Sequence, residues 1–468
     1  MKLSLRSAAR EEPERAALID EQETLSYAGI LRPLSLAAGV LLSRGLTGIE
    51  ERRPVSFTAS IERATLVKMW ACIETGVPFL PLHPGLTARE KARLVTAARS
   101  PFVWEGPFSG KRDGPARLEE LPTIPDDRRP LTMVYTSGTS GRPKGVVLSR
   151  SALVASAEAS AHNLGWEEND RWLLSLPLAH VGGLSILTRC LIARRTVVLC
   201  PSTDPAEIVR SIARHRVTLM SAVPTVIQRL LALSPPWSPP AHLRAVLIGG
   251  GPVARAILRE GKKRGLHLLP TYGLTETCSQ VATWPYGQEP PEGGAAKALS
   301  GIDIRVREGR IAVRGPVLFT SYWPEGERGA DVDREGWFET GDCGEIDKEG
   351  FLHVWGRADD MIVTGGENVS PHEVEEALRA FPEVRDAAVF GVPDRAYGEV
   401  VAAAVVWREG TPEDLGLLAG HLAKEIASFK RPRKVAIVEA LPRTAAGKVD
   451  RRALVRSTAG KLRPLSYD

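Results

Sequence analysis

The pattern of apolar and polar positions along this chain changes character twice. From Leu25 to about residue 100, helical segments alternate with short apolar runs. Among them are residues 76–84, whose prolines mark an extended segment bounded by turns, and the helix-like stretch 88–98. Residues 105–130 are rich in glycine, proline and charge and read as loop. Two β-rich runs, 131–135 and 146–148, come next, and beyond them the alternation becomes regular. A helix over 150–163 ends at Gly165, and a strand over 172–176, a helix over 184–193 and a strand over 196–199 follow. Asp204 at the N-cap and Pro205 at the first helical position open a helix reaching His215. Strand 217–220, helix 225–233, strand 243–248, helix 253–263 and strand 266–269 complete the series. Such alternation predicts doubly wound, mostly parallel sheets with helices on both faces, which bind ligands at the carboxyl ends of their strands.

Past residue 300 the pattern becomes short strands and tight turns, at 302–306, 310–313, 336–339, 343–346 and 351–355, which predicts an antiparallel, barrel-like meander. Near Gly356 it changes again, to an α+β unit of about 110 residues. Its first helix carries Ser370 at the N-cap, Pro371 at N1 and Glu373 at N3, a capping box ahead of the amphipathic stretch 374–381. Runs 386–392 and 400–407, a helix over 412–427 and a strand over 434–438 follow. The predicted fold class is α/β plus α+β. A large N-terminal domain spans 1–357, with its antiparallel subdomain at about 300–355, and a small C-terminal domain spans 358–468.

At 468 residues the chain exceeds what one core supports, which agrees with that division. Its composition, 43% hydrophobic and 25% charged, is that of a soluble globular protein. Basic residues outnumber acidic ones by only 61 to 56, so no nucleic-acid partner is expected. The five cysteines are scattered and never spaced C-x-x-C, which predicts neither a disulfide framework nor a zinc site. No apolar segment follows Lys2, Arg6 and Arg10, so a signal peptide is not expected and a reducing cytoplasm is. Residues 172–188 are uncharged but broken by Pro177, His180, Gly182 and Gly183, and read as buried interior rather than a membrane span. A homodimer is left open.

The strongest chemical signal is Thr136-Ser-Gly-Thr-Ser-Gly-Arg-Pro-Lys-Gly145, between the two β-rich runs. Gly138, Gly141 and Gly145 let main-chain N–H groups approach a ligand, while Thr136, Ser137, Thr139 and Ser140 offer hydroxyls and Lys144 a charge. That chemistry suits a polyphosphate. It is not a Walker A loop, because Pro143 stands where that loop needs its second glycine and Gly145 where a hydroxyl should meet magnesium. Taken alone, the stretch also reads as a solvated hairpin turn.

Five further motifs occur in order: Gly249-Gly-Gly-Pro252; Thr271-Tyr-Gly-Leu-Thr-Glu276; Thr340-Gly-Asp342; Gly356-Arg-Ala-Asp-Asp-Met-Ile362 with Gly365-Gly-Glu-Asn368; and Pro442-Arg-Thr-Ala-Ala-Gly-Lys448. Together with the loop they resemble the adenylate-forming superfamily of acyl-CoA synthetases, adenylation domains and luciferases over nearly the whole chain. The resemblance implies a reaction of a carboxylate with ATP and Mg2+ to give an acyl-adenylate, and then a thioester with CoA. It makes Thr139 and Glu276 the magnesium pair, and Asp342 with Arg357 the ribose-binding residues. The nucleotide site implied includes Thr136, Ser137, Gly138, Thr139, Ser140, Gly141 and Lys144, then Gly249, Gly250, Gly251, Thr271, Tyr272, Gly273 and Thr275. Lys448 is implied as the adenylation lysine, Asp359 as the hinge of a mobile C-terminal domain, and Gly365 and Gly366 as the approach for the CoA arm. Read without the family, Thr340-Gly-Asp342 is a turn and Asp359 a linker aspartate.

Within the superfamily, Trp172 to Leu184, Thr271 to Gln280 and Gly365 to Pro371 are most similar to the 2-succinylbenzoate–CoA ligases of menaquinone biosynthesis. The implied substrate is an aromatic dicarboxylate. One carboxylate would be activated beside His180, and the other needs a fixed donor. Arg229 is the candidate because arginine pairs bidentately with carboxylates, although an exposed helix arginine reads the same way. Gly249 to Gly251, Ser279 and Gln280 are expected to complete the pocket wall. Ala179 precedes His180, where relatives in the family commonly place an aromatic residue. Another aryl- or medium-chain acyl-CoA synthetase, or a stand-alone carrier-loading adenylation enzyme, would share the nucleotide motifs.

Overall fold

Four-residue runs such as Thr-Val-Val-Leu and Ala-Val-Leu-Ile are buried at every position, as strands covered on both faces must be. The computed structural model describes residues 2–48, 53–106, 114–136, 144–289, 295–323, 332–411, 413–443 and 449–467. In chain order, α1 (Leu5–Glu11), β1 (Ala16–Ile19), β2 (Thr24–Ser26), α2 (Tyr27–Leu42), β3 (Val55–Thr58), α3 (Arg63–Thr75), β4 (Phe79–Leu82) and α4 (Ala88–Ala97) come first. After the loop come β5 (Pro130–Thr136), β6 (Lys144–Ser149), α5 (Arg150–Leu164), β7 (Arg171–Leu174), α6 (Val181–Ala193), β8 (Thr196–Leu199) and α7 (Pro205–Arg214). Then follow β9 (Leu219–Ala222), α8 (Pro224–Leu231), β10 (Ala245–Ile248), α9 (Arg255–Lys263), β11 (Leu268–Leu274), β12 (Ser279–Thr283) and β13 (Ala296–Ala298).

Apart from Arg255 and Ala256 at the start of α9, these elements lie in the larger of two compact units, Met1–Val253, Ile257–Ile304 and Ala312–Phe338. Strands β11, β10, β9, β7, β8 and β1 are neighbours in that order and all parallel. Antiparallel β12 and β13 extend one side and β2 the other. By the two-residue period of a strand, Leu173, Val198, Met220 and Val246 share one face. There they pack with Ile208 and Ile212 of α7, Ile227 and Leu230 of α8 and Leu258 of α9. Trp172 points the other way and lies under Arg189 of α6, so helices cover both faces, as the alternation predicts. A second sheet runs β6, β5, β4, β3, with β3 to β5 parallel and β6 antiparallel to β5. Among the described residues, no helix is long and apolar enough to cross a membrane.

The remaining elements are β14 (Asp303–Arg307), β15 (Arg310–Arg314), β16 (Ser321–Trp323), β17 (Phe338–Ile346), β18 (Phe351–Arg357), β19 (Ile362–Thr364), β20 (Glu367–Val369) and α10 (Pro371–Arg379). They are followed by β21 (Val384–Asp394), β22 (Gly398–Trp407), α11 (Leu415–Glu425), β23 (Lys434–Ile437), α12 (Arg451–Thr458) and β24 (Arg463–Pro464). The second unit comprises Ala254–Ala256, Arg305–Ile311 and Glu339–Asp468, so division by packing falls earlier than the boundary expected at residue 357. Its sheet runs β20, β19, β22, β23, β24, with β21 paired to β22. Val374 and Leu378 of α10 and Leu418 and Leu422 of α11 pack on one apolar face, and Leu454 of α12 packs among the residues of a second cluster.

Two local expectations are corrected. The runs 336–339 and 343–346 belong largely to one continuous strand, β17, so Thr340-Gly-Asp342 is strand interior and not a turn. Ser370 does begin α10, but the capping box does not form. Its hydroxyl donates instead to the Trp355 carbonyl at 2.6 Å, an acceptor that lies sixteen positions before Pro371 and that no local pattern announces.

The starts of three parallel strands are tied by one buried ion pair. Arg244, before β10, donates from Nε and Nη2 to the two oxygens of Asp170, before β7, at 2.9 and 2.6 Å. Thr218, before β9, adds a hydrogen bond of 2.6 Å. Burial alone would raise the Asp170 carboxyl, but the bonds from Arg244, Thr218 and the Glu167 amide outweigh it and hold it below the usual carboxylate range. Removing one partner of such a pair costs about 3–5 kcal/mol, so Asp170→Asn is expected to lower the thermal midpoint clearly at neutral pH. A depressed folded-state pKa gives stability that is complete above the unfolded value of about 4 and is lost as pH falls through the folded one. The gap between wild type and variant in calorimetry should therefore close below that pH. A gap independent of pH would show that the carboxylate charge is not what ties the strands.

Candidate active site

The carboxyl ends of β10 and β11 lie side by side, with Ile248 opposite Pro270 in the parallel register. The apolar sequence of β10 breaks off at Gly249, where a Cβ would collide with Thr271 Oγ1 of the neighbouring strand. That hydroxyl donates to the Ile248 carbonyl at 3.3 Å. Gly250 has φ +76° and, like Gly251, is exposed, so the three-glycine run is bare backbone at the strand's end. Thr271, Tyr272 and Leu274 are half-buried, which leaves this edge partly open to solvent.

Strand β11 then turns back on itself. A 3-10 turn over Thr275–Thr277 carries Glu276 at its tip, and β12 returns antiparallel, with an irregular register between Tyr272 and Gly273. The return is so tight that a Cβ on Gly273 would fall on the Ser279 carbonyl. Cys278 and Ser279 take φ of +54° and +112°, and for Ser279 this is well outside the region that side chains tolerate. Ser156 of α5 donates to the Cys278 carbonyl at 3.0 Å, and the Gln280 amide donates to Ser160 one helical turn on at 3.2 Å, so α5 holds the strained pair. Gln280 is thus buried against α5 rather than turned to a pocket.

Glu276 is half-buried, and its Oε1 accepts a 3.1 Å hydrogen bond from the Tyr322 hydroxyl of β16. Lys144 lies with Nζ 4.9 Å from the centre of the same ring. Thr136 and Lys144 are cross-strand partners where β5 and β6 meet, so the two ends of the glycine-rich loop are joined by a hairpin ladder. Ser137, Gly138, Thr139, Ser140 and Gly141 lie outside the described residues.

His180 is exposed at the N-cap of α6, and its ring lies 5.7 Å from that of His83, which follows β4 in the other sheet. His83 Nδ1 accepts from the Gly85 amide at 3.0 Å. Arg229 is exposed in the last turn of α8. A different arginine is buried: Arg189 of α6 is 2% exposed. Its Nη2 reaches Ser279 Oγ at 3.4 Å, its guanidinium centre lies 5.4 Å from the Trp172 ring, and its Nε has no partner among the described residues. Burial pushes its pKa down to about 10. No carboxylate among the described residues pairs with it, and an unpaired buried charge of this kind costs several kcal/mol.

In the second unit, Asp342 of β17 and Arg357 of β18 are register partners. Arg357 Nη1 donates to Asp342 Oδ1 at 3.2 Å and to the Thr340 carbonyl at 2.9 Å, and the Asp342 amide donates to Thr340 Oγ1 at 3.1 Å. Gly341 has φ +73°, and a Cβ there would lie 2.7 Å from Arg357 Nη2. Asp359 lies in the 3-10 turn Ala358–Asp360. Gly365 and Gly366, with φ of +59° and +87°, join β19 to β20. Lys448 lies outside the described residues.

Sequence reasoning overlooked Arg189, Tyr322 and His83. A signal existed for the first, since the uncharged run 172–188 ends immediately before Arg189, the one charge in its helix. Tyr322 and His83 sit in short strand and turn segments where nothing local marks them.

The AMP-binding enzyme family matches residues 5–323, and the AMP-binding enzyme C-terminal domain matches residues 373–448. The 2-succinylbenzoate–CoA ligase of Bacillus licheniformis is 35% identical, across 96% of this chain and 98% of its own length. The o-succinylbenzoate CoA synthetase of Bacillus subtilis has been solved with the acyl-adenylate intermediate OSB-AMP. It is 32% identical and superposes with a TM-score of 0.84 over 96% of this chain and 97% of its own. The same enzyme with ATP and magnesium ion gives a TM-score of 0.85, covering 96% of this chain and 98% of that one. ATP-bound MatB of Rhodopseudomonas palustris, 29% identical, gives 0.89 over 97% of this chain and 99% of its own.

If Asp342 and Arg357 meet a nucleotide, Gly341→Ala, which forces alanine to a positive φ beside Arg357, should weaken AMP binding by about tenfold or more in titration calorimetry. Unchanged affinity would separate this pair of residues from the nucleotide.

Proposed function

The chain belongs to the AMP-binding enzyme family, and from that premise we propose that it is an AMP-forming acid–thiol ligase acting on 2-succinylbenzoate in menaquinone biosynthesis. In the first half-reaction a carboxylate oxygen bonds to the α-phosphorus of ATP as the bond from that phosphorus to the β-bridging oxygen breaks, releasing pyrophosphate. In the second, the deprotonated sulfur of CoA bonds to the acyl carbon and AMP leaves with the electrons of the acyl–oxygen bond.

The residues divide this work. Gly249, Gly250, Gly251, Thr271, Tyr272, Gly273 and Thr275 form the bare backbone and hydroxyl edge assigned to the nucleotide base and phosphates, with Thr136, Lys144 and the intervening loop on the triphosphate. Asp342, oriented by Arg357, is assigned the ribose hydroxyls, which a carboxylate accepts from. Mg2+ suits Glu276, which offers a hard carboxylate already oriented by Tyr322, and Thr139 is assigned as the hydroxyl member of the pair. When bound, the ion neutralises charge on the triphosphate. Lys448 is assigned to the charge developing on the carboxylate and α-phosphate oxygens, help worth roughly 3 kcal/mol or more. Asp359 is assigned as the hinge, and Gly365 with Gly366 as the backbone beside the CoA arm. Buried free cysteines support a reducing, cytoplasmic setting.

The observation that carries the dicarboxylate is Arg189. A buried guanidinium with an unused Nε, linked through Ser279 to the half-open end of the sheet, matches an anion that arrives with the substrate. This makes Arg189 the better donor for the ring carboxylate than exposed Arg229, with His180 beside the carboxylate that reacts. The decisive assay is pyrophosphate release across aromatic and aliphatic acids, with and without CoA. A preference for an acid lacking the second carboxylate would replace 2-succinylbenzoate with another aryl or medium-chain substrate.

Lys448→Ala should abolish acyl-AMP formation yet still convert supplied acyl-AMP and CoA to thioester, and equal loss of both half-reactions would contradict its role. Arg189→Met, which keeps volume and removes charge, should raise KM for 2-succinylbenzoate by about tenfold or more and leave KM for ATP unchanged. It should also lose the preference over 4-oxo-4-phenylbutanoate, the analogue without the ring carboxylate. Arg229→Ala serves as the comparison, and the larger rise in KM identifies the anchor.

A further inference from the structure

Tyr322 stands between two groups of opposite charge that the reaction needs and that lie far apart in sequence. It is the middle residue of β16, an edge strand paired antiparallel to β6, with Tyr322 opposite Val146 and Trp323 opposite Gly145. Gly145 permits that pairing to close, since a Cβ there would come within 3.0 Å of Met133 Sδ and 3.2 Å of Trp323 Cβ. The Tyr322 ring is 7% exposed and lies 4.7 Å from the Phe319 ring. The Phe319 amide donates to the Glu276 carbonyl at 2.8 Å, and the Thr320 amide donates to the Val147 carbonyl at 2.8 Å. One short segment, 319–323, thus binds the Glu276 turn on one side and β6 on the other.

We propose that Tyr322 is the positioning residue of the triphosphate centre. It orients the Glu276 carboxylate toward a divalent cation and, through its ring face, holds the Lys144 ammonium toward the phosphates. The inference rests on the ligase reading of the site. A hydroxyl donating to Oε1 at 3.1 Å fixes the carboxylate plane and occupies one lone pair, leaving Oε2 and the other Oε1 lone pair for a hard cation. The ring presents its negative face to Lys144, 4.9 Å away. The two charges thus meet different parts of one side chain, the carboxylate its hydroxyl and the ammonium its ring face. Tyr322 satisfies each separately and keeps both available. Partners behind a metal ligand commonly change metal affinity by about 10–100-fold when removed.

The test uses full-length enzyme, Mn2+ as the probe and ATP without acid, with bound Mn2+ read by electron paramagnetic resonance. Tyr322→Phe keeps the ring and loses only the hydroxyl. It should weaken Mn2+ affinity of the ATP complex by about tenfold or more, with KM for 2-succinylbenzoate and the thermal midpoint close to wild type. Tyr322→Leu loses the ring as well and should weaken ATP binding beyond Tyr322→Phe. In a cycle with Glu276→Gln, the loss from Tyr322→Phe should largely vanish on the Gln background, which an effect through folding alone would not do. Mn2+ affinity of Tyr322→Phe within twofold of wild type, or full additivity in the cycle, overturns the positioning role while leaving the ligase reading in place. A wild-type chain that binds Mn2+ and ATP but activates no acid sinks the ligase reading alone, and one that binds neither overturns both.

Discussion

The tight antiparallel return from β11 to β12 is the constraint from which the site follows. Six strands run parallel in the larger unit, and a parallel sheet by itself offers only blunt strand ends. At β11 the chain reverses instead, close enough that residue 273 must be glycine and that Cys278 and Ser279 are driven to positive φ. Strain of that kind costs about 1–3 kcal/mol per residue and persists only where surroundings over-determine it. Here α5 supplies the restraint, with Ser156 and Ser160 bonded to Cys278 and Gln280. The reversal puts Glu276 at the tip of a turn, aims Ser279 at Arg189 and leaves Thr271 against Gly249, just past the end of β10.

Charges buried at this sheet fall into two classes with different consequences. Asp170 and Arg244 satisfy one another where strands begin, and Thr218 and backbone amides take up remaining capacity. That arrangement stabilises a fold and has nothing left to offer a ligand. Arg189 is as deeply buried but incompletely satisfied, sharing a long hydrogen bond with one hydroxyl and the face of one indole. A group in that state destabilises the empty protein and favours whatever anion completes it. Where the strands begin the chemistry is structural, and near the carboxyl edge it is available.

In the second unit the same economy holds on a smaller scale. Asp342 and Arg357 face one another across a two-stranded ladder, and Gly341 between Thr340 and Asp342 is what lets the guanidinium lie against the backbone. Because β17 is continuous, that pair is carried on a rigid strand. A side chain on a strand is held more precisely than one on a turn.

The order and type of the elements were legible in the amino-acid sequence, because buried parallel strands and amphipathic helices have periods that do not depend on their neighbours. The N-cap at Asp204, the strand 196–199 and the stop at Gly165 all followed from local chemistry. The two β-rich runs flanking the glycine-rich loop were legible in the same way, and they form β5 and β6, joined by the pairing of Thr136 with Lys144. Contacts between residues far apart in sequence were decided by tertiary structure alone. The Ser370 hydroxyl bonds the Trp355 carbonyl and makes no cap bond, Gln280 turns to Ser160, and the buried cation of α6 is Arg189 while Arg229 of α8 faces solvent. A helix period marks which face is apolar, but a single charge on that face acquires its meaning from what folding leaves unpaired beside it.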